Sequence, residues 1–155
     1  MAARILVQHE PFDLAAEVAA LEGEGVGAVV TFNGLVRNRS ALGDVSAIEL
    51  EHYPAMTVAA LEGIAAEAQA RWPLLGLTVI HRIGHLRAGD PIVLVAVASA
   101  HREAAFQAAS FLMDYLKTRA PFWKKEWVNG VAHWVEAKAS DAVAAERWAH
   151  PDSPG

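Results

Sequence analysis

Lys117 stands near the end of an apolar-periodic segment, at the i+4 position from Met113, so a helix places both on one face beside the buried stripe. Desolvation beside apolar surface can make a lysine amine usable as a base or nucleophile. The same lysine also fits as a plain cation at a helix C-terminus. Further on, Trp123–Val128, Asn129-Gly130 and Val131–Ala137 read as a β-hairpin, because Asn-Gly between apolar-alternating runs is the strongest short-range hairpin signal. A two-residue loop pairs Val128 with Val131, Glu126 with His133 and Lys124 with Val135. Lys124, Glu126 and Val128 then share one face, and Trp123, Lys125 and Trp127 the other, with Trp134 opposite Lys125. Lys125 lays its stem over tryptophans. Lys124, beside Glu126, is the better candidate for chemistry, although an exposed cross-strand charge pattern gives the same spacing.

Anion-binding groups lie nearby in sequence. Ser99-Ala100-His101-Arg102-Glu103 spans a strand-to-helix junction, where free backbone N–H groups attract anions and His101 with Arg102 adds charge-assisted donors. Ser99 is a candidate cap, but Arg102 three residues on leaves the capping box unmet. A basic first turn opposes the helix dipole and suggests a compensating ligand, while two solvated side chains are the plainer alternative. Residues 101–125 carry Arg102, Lys117, Arg119, Lys124 and Lys125 against Glu103 and Asp114, in a chain of net charge −5. One basic patch on an acidic protein points to a small anionic ligand and away from non-specific nucleic-acid binding. Arg37 and Arg39 sit in the turn-rich loop Val36–Asp44, after a strand that could hold them rigidly. His52, His81 and His85 show no ligand spacing, read as scattered polar or satisfied positions, and no metal is expected.

These residues need elements to position them. Helices are expected over about 12–22, from Pro54 to Arg71-Trp72-Pro73, from His101 to before Pro121, and over about 140–148. The second carries Val58, Leu61, Ile64 (or Ala65) and Ala68 inward, the third Ala108, Phe111, Leu112 and Tyr115. Strands are expected over a buried Ala28–Phe32, a half-exposed Ser46–His52, Leu77–Ile83, and Ile92–Ala98, the last buried on both faces.

The chain has 155 residues, 54% of them apolar and 20% charged, which fits one α+β domain spanning residues 1–155, loosely ordered after about 148. Its longest apolar run, Pro91–Ala98, is far short of a membrane span, and no secretory signal is read at Met1–Glu10, so a cytoplasmic protein is expected. With no cysteine, disulfides, thiolate sites and a persulfide carried on this chain are excluded. Any sulfur handled here must arrive on another molecule.

GAVVTFNGLVRN (27–38), LEHYPAMT (50–57), RWPL (71–74), VIHRIG (79–84), GDPIVLVAVASAHREAAF (89–106) and FLMDYLKTRAPFWKKE (111–126) together resemble the large, catalytic subunit of the molybdopterin synthase family, in order along the domain. The resemblance implies an α/β hammerhead-like fold with a mixed or antiparallel sheet and a C-terminal β-hairpin. It also implies a sulfurtransferase that converts cyclic pyranopterin monophosphate to molybdopterin by installing two dithiolene sulfurs. The donor would be the thiocarboxylate on the C-terminal Gly-Gly tail of a small ubiquitin-like subunit, in a heterotetramer built on a homodimer of this chain. No cofactor is implied, since the product is itself the pterin precursor of molybdenum cofactor. Lys117 and Lys124 match the family's active-site lysines. Arg37, His101 and Arg102 match its substrate-binding residues, the last two given across the dimer interface. Lys125 and Glu126 adjoin the second lysine and are expected among the substrate-binding residues, completing the pocket or holding the hairpin, and Phe32 with Met113 would line the pocket for the partner's tail. A non-catalytic module binding a phosphorylated metabolite is the alternative, and an RNA-binding domain with aromatics beside lysines is a more distant one.

Overall fold

The computed structural model describes residues 2–120, 122–135 and 139–149; Pro121, Ala137, Lys138 and the PDSPG tail, on which some expectations fell, lie outside them. The elements run β1 (Arg4–Gln8), α1 (Leu14–Leu21), β2 (Ala28–Leu35), β3 (Arg39–Ser40), β4 (Gly43–His52), α2 (Pro54–Arg71), β5 (Leu74–Arg82), β6 (Gly84–Arg87), β7 (Pro91–Ser99), α3 (Arg102–Arg119), β8 (Phe122–Val128), β9 (Val131–Val135) and α4 (Ala139–Glu146). This is the expected α+β architecture, with β1, β3 and β6 as strands beyond the sequence reading. No helix among the described residues is long and apolar enough to cross a membrane.

The first sheet is mixed, in the order β1-β5-β7-β2, with β1 parallel to β5 and the other pairs antiparallel. β7 is central, and its unbroken apolar run serves two cores. Val93, Val95 and Val97 face α2 and α3, while Leu94 and Ala96 face α1 through Leu14 and Leu21. α2 buries Thr57, Leu61, Ile64, Ala65 and Ala68, so Thr57 takes the inward place expected of Val58. α3 buries Ala108, Phe111, Leu112 and Tyr115 as its periodicity predicts.

β2 corrects the expectation of a buried strand. Among the described residues it pairs only with β7, at the edge of the sheet, leaving Phe32 and Leu35 42% and 50% exposed. Ser99 is corrected too. His101, without a side-chain cap bond, is the N-cap of α3, while the Ser99 hydroxyl donates to the Pro73 carbonyl at 3.0 Å.

The second sheet is antiparallel, ordered β3-β4-β8-β9, with β6 also on β4. It closes over Val36, Val45, Ile48, Leu50, Leu86 and Val128. The β8–β9 hairpin has the expected register, Lys124 opposite Val135, Lys125 opposite Trp134 and Glu126 opposite His133. Asn129 and Gly130 have φ of 52° and 76°, the left-handed pair a type I′ turn requires.

The described chain is fastened at its end by Trp148, which is 1% exposed. Its ring meets Trp72 and Phe111 edge-to-face, at 5.5 and 5.6 Å, and its Nε1 donates to Asp114 at 2.6 Å. Arg71 donates to its carbonyl at 2.6 Å. This ties the segment after α4 to α2 and α3. Trp148→Ala should therefore destabilise the protein by about 3–5 kcal/mol, read from urea melts.

His81 on β5 is buried, and its pKa is lowered from 6.5 to about 4, chiefly by loss of hydration, against a hydrogen bond to the Arg82 carbonyl and with smaller repulsion from Lys117 and His52. Between those pH values the unfolded chain binds the extra proton. The stability His81 contributes is therefore full above about pH 6.5 and declines as pH falls towards 4. Unfolding free energies measured across that range should slope less steeply in His81→Phe than in the wild type.

Candidate active site

Where the last turn of α3, the edge of β2 and the inner face of the second sheet meet, the fold leaves a cavity of about 580 Å³. Lys117 reaches it from α3, and Lys124 and Glu126 from β8. The hairpin alternation explains the last two. Lys124 pairs with Leu50 and Glu126 with Ile48 on β4, and all four line the cavity. Lys124 is half-buried and Glu126 is 7% exposed.

Arg37 enters from the loop after β2, which is pinned on both sides. The Val36 N–H donates to the Asp90 carbonyl at 2.9 Å and the Gly89 N–H to the Val36 carbonyl at 2.8 Å, while the Val45 N–H donates to the Asn38 carbonyl at 2.8 Å. Phe32 lines the wall from β2, its exposed place on an edge strand leaving the ring accessible. Three cations, Arg37, Lys117 and Lys124, thus face the carboxylates of Glu126 and Asp141. Such a site suits an anion and offers amines as proton donors and acceptors.

Other expected residues lie elsewhere in the single chain. Lys125 points to the opposite face of β8, with its Nζ 3.5 Å from Glu51, 3.8 Å from Glu49 and 4.5 Å from the centre of the Trp134 ring. The expected contact with tryptophan is thus made by the ammonium over Trp134, and Lys125 lies out of the cavity. Met113 is half-buried against the main core and is not on the cavity wall. His101 and Arg102 open α3, whereas Lys117 is near its end. Fifteen residues of continuous helix put Arg102 ~22 Å from Lys117 along the axis.

His81, Phe122 and Asp141 line the cavity without having been singled out as site residues. His81 had a faint signal, as the one histidine in the expected strand Leu77–Ile83. Phe122, just before the expected strand Trp123–Val128, figures in the sequence reading only among the aromatics beside lysines of the RNA-binding alternative. Asp141 comes from a segment whose placement only the fold reveals.

A family model described as "MoaE protein" matches residues 7–119. A relative from Mesorhizobium japonicum, named molybdopterin synthase catalytic subunit, is 59% identical over 96% of this chain and 94% of its own length. One of the same name from Escherichia coli (strain K12) is 55% identical over 94% of this chain and 97% of its own. Among solved structures, a molybdopterin biosynthesis MoaE protein from Burkholderia ambifaria superposes with a TM-score of 0.82 at 49% identity, covering 96% of this chain and 99% of that one. A complex of subunits 1 and 2 of molybdopterin-converting factor from Helicobacter pylori shares the fold, with a TM-score of 0.69 at 18% identity over 88% of this chain and 91% of that one. With its family model matched over most of its length, and relatives more than half identical along nearly all of it, this chain belongs to the MoaE family.

Proposed function

We propose that this protein is the catalytic subunit of a molybdopterin synthase, working in the cytoplasm as a sulfurtransferase on cyclic pyranopterin monophosphate. The observation that carries the reading is the convergence of Lys117 and Lys124, from different elements, on one cavity with Arg37. Relatives named as catalytic subunits leave the binding-module alternative without support. The chain has no cysteine, so both dithiolene sulfurs come from outside. A small ubiquitin-like subunit carrying a C-terminal thiocarboxylate is the donor, its tail entering along Phe32. No resident cofactor takes part.

In this reading the thiocarboxylate sulfur forms the new bond to a side-chain carbon of the pterin as that carbon's bond to oxygen breaks, the oxygen leaving with the opened phosphate at one carbon and as water at the other. Lys117 meets the incoming tail and acts as base or as transient acyl acceptor. Lys124, on the same face of β8 as Glu126, assists proton transfer and stabilises negative charge as the cyclic phosphate opens. Hydrolysis of the acyl group then returns the partner's carboxylate.

Arg37 binds the substrate's anionic end from within the chain. His101 and Arg102, ~22 Å from Lys117 along α3, serve the cavity of a second copy, which makes the homodimer the functional unit at the centre of a heterotetramer.

The test is a single-turnover assay with the thiocarboxylated partner and the cyclic pterin monophosphate. Lys117→Ala should lose about 100-fold or more in dithiolene formation, and near-normal turnover would refute its role. Mixing Lys117→Ala with Arg102→Ala under conditions of subunit exchange should restore about a quarter of wild-type sites, because mixed dimers hold one intact cavity of two. A mixture as inactive as its parents would place Arg102 outside the shared site.

A further inference from the structure

His81 occupies a place that packing alone would give to an apolar side chain. On β5 it lies in register between Val7 of β1 and Val93 of β7, and it is 6% exposed. Its ring lies nearly parallel to that of Phe122, with centroids 3.9 Å apart and planes 18° from coplanar. Nδ1 is 2.8 Å from the Arg82 carbonyl oxygen. A carbonyl only accepts, so Nδ1 carries the hydrogen and Nε2 is the bare nitrogen. The ring is therefore held both by its face and by one edge.

What it holds is the corner of the site. Phe122 opens β8 two residues before Lys124 and follows the helix that carries Lys117. Its backbone pairs with His52 on β4, whose ring centre is 6.2 Å away. His81, Lys117, Phe122 and Lys124 all line the cavity. The charged and titratable groups around His81 are Lys117 on α3, His52 on β4, Lys124 and Glu126 on β8, Asp141 on α4, and Arg37 in the loop. A permanent cation at position 81 would repel both lysines, and an aliphatic residue could not make the parallel stack.

Resting on the reading of this cavity as the sulfur-transfer site, we infer that His81 is a positioning residue: stacked on Phe122 and tethered to the Arg82 carbonyl, it fixes the corner between α3 and β8 and so the spacing of Lys117 and Lys124. It stays uncharged at working pH, because burial holds its pKa near 4, and transfers no proton itself. Reactive groups set slightly apart lose rate without losing substrate affinity.

The experiment measures kcat, KM for the cyclic pterin and melting temperature in the wild type, His81→Ala, His81→Phe and Phe122→Leu, each with the thiocarboxylated partner. His81→Ala should lower kcat about 10- to 100-fold with KM within about twofold, and Phe122→Leu should do the same. His81→Phe, which restores a flat ring against Phe122, should recover most of the rate, with a pH profile superimposable on the wild type. Wild-type kcat in His81→Ala, or in Phe122→Leu should His81→Ala not fold, would overturn the inference. So would a displaced pH profile in His81→Phe, which would mean that the imidazole moves a proton. An inactive wild type would remove the sulfur-transfer reading and this inference with it, whereas an active wild type with unaffected variants removes this inference alone.

Discussion

The antiparallel pairing of β8 with β4 is the constraint on which the site depends. It runs from Val45 opposite Val128 to His52 opposite Phe122 and fixes which face of β8 meets the cavity. Side chains alternate along a strand, so a slip of one residue would send Lys124 and Glu126 outward and bring Lys125 and Trp127 in. Two features resist that slip. The Asn129-Gly130 turn sets the register with β9, and Ile48, Leu50 and Val128 bury themselves on the inner side. On the outer side Lys125 is engaged by Glu49, Glu51 and the Trp134 ring. Neighbouring lysines thus have separate jobs, one lining a cavity and one binding the sheet together.

The second requirement is to bring a helix end and a strand start together. Lys117 and Lys124 flank a short connection between two sheets with separate cores. α3 is seated by Phe111, Leu112 and Tyr115 under the first sheet, and Trp148 braces its outer side through Asp114. The His81–Phe122 stack joins β5 of the first sheet to β8 of the second at the point where the chain crosses between them. A neutral buried ring suits that crossing, since it adds no charge beside the lysines.

Much of this was legible in the sequence, for reasons that are local. Asn-Gly dictates a turn type, the turn dictates register, and register puts Lys124 and Lys125 on opposite faces of the strand. The stripes of α2 and α3 follow from helical periodicity, apart from the one-residue shift from Val58 to Thr57. What was not legible depends on pairing at a distance. Ala28–Phe32 has the composition of a core strand, and only the sheet order reveals it as an edge that leaves Phe32 exposed. His101 and Arg102 were grouped with Lys117 as one basic patch, but proximity in sequence along a helix is distance in space. A single histidine in an apolar strand fits a satisfied core residue as well as a working one, and the difference lies in Phe122 from another sheet.

The central claim is that the β4–β8 register selects Lys124, and not its neighbour, for the chemistry. The most direct measurement compares Lys124→Ala with Lys125→Ala in dithiolene formation under single-turnover conditions, after matching the two for folded fraction and for complex formation with the thiocarboxylated partner. The account predicts a loss of about 100-fold or more for Lys124→Ala and a rate within about threefold of wild type for Lys125→Ala. Equal losses, or the reverse order, would contradict it.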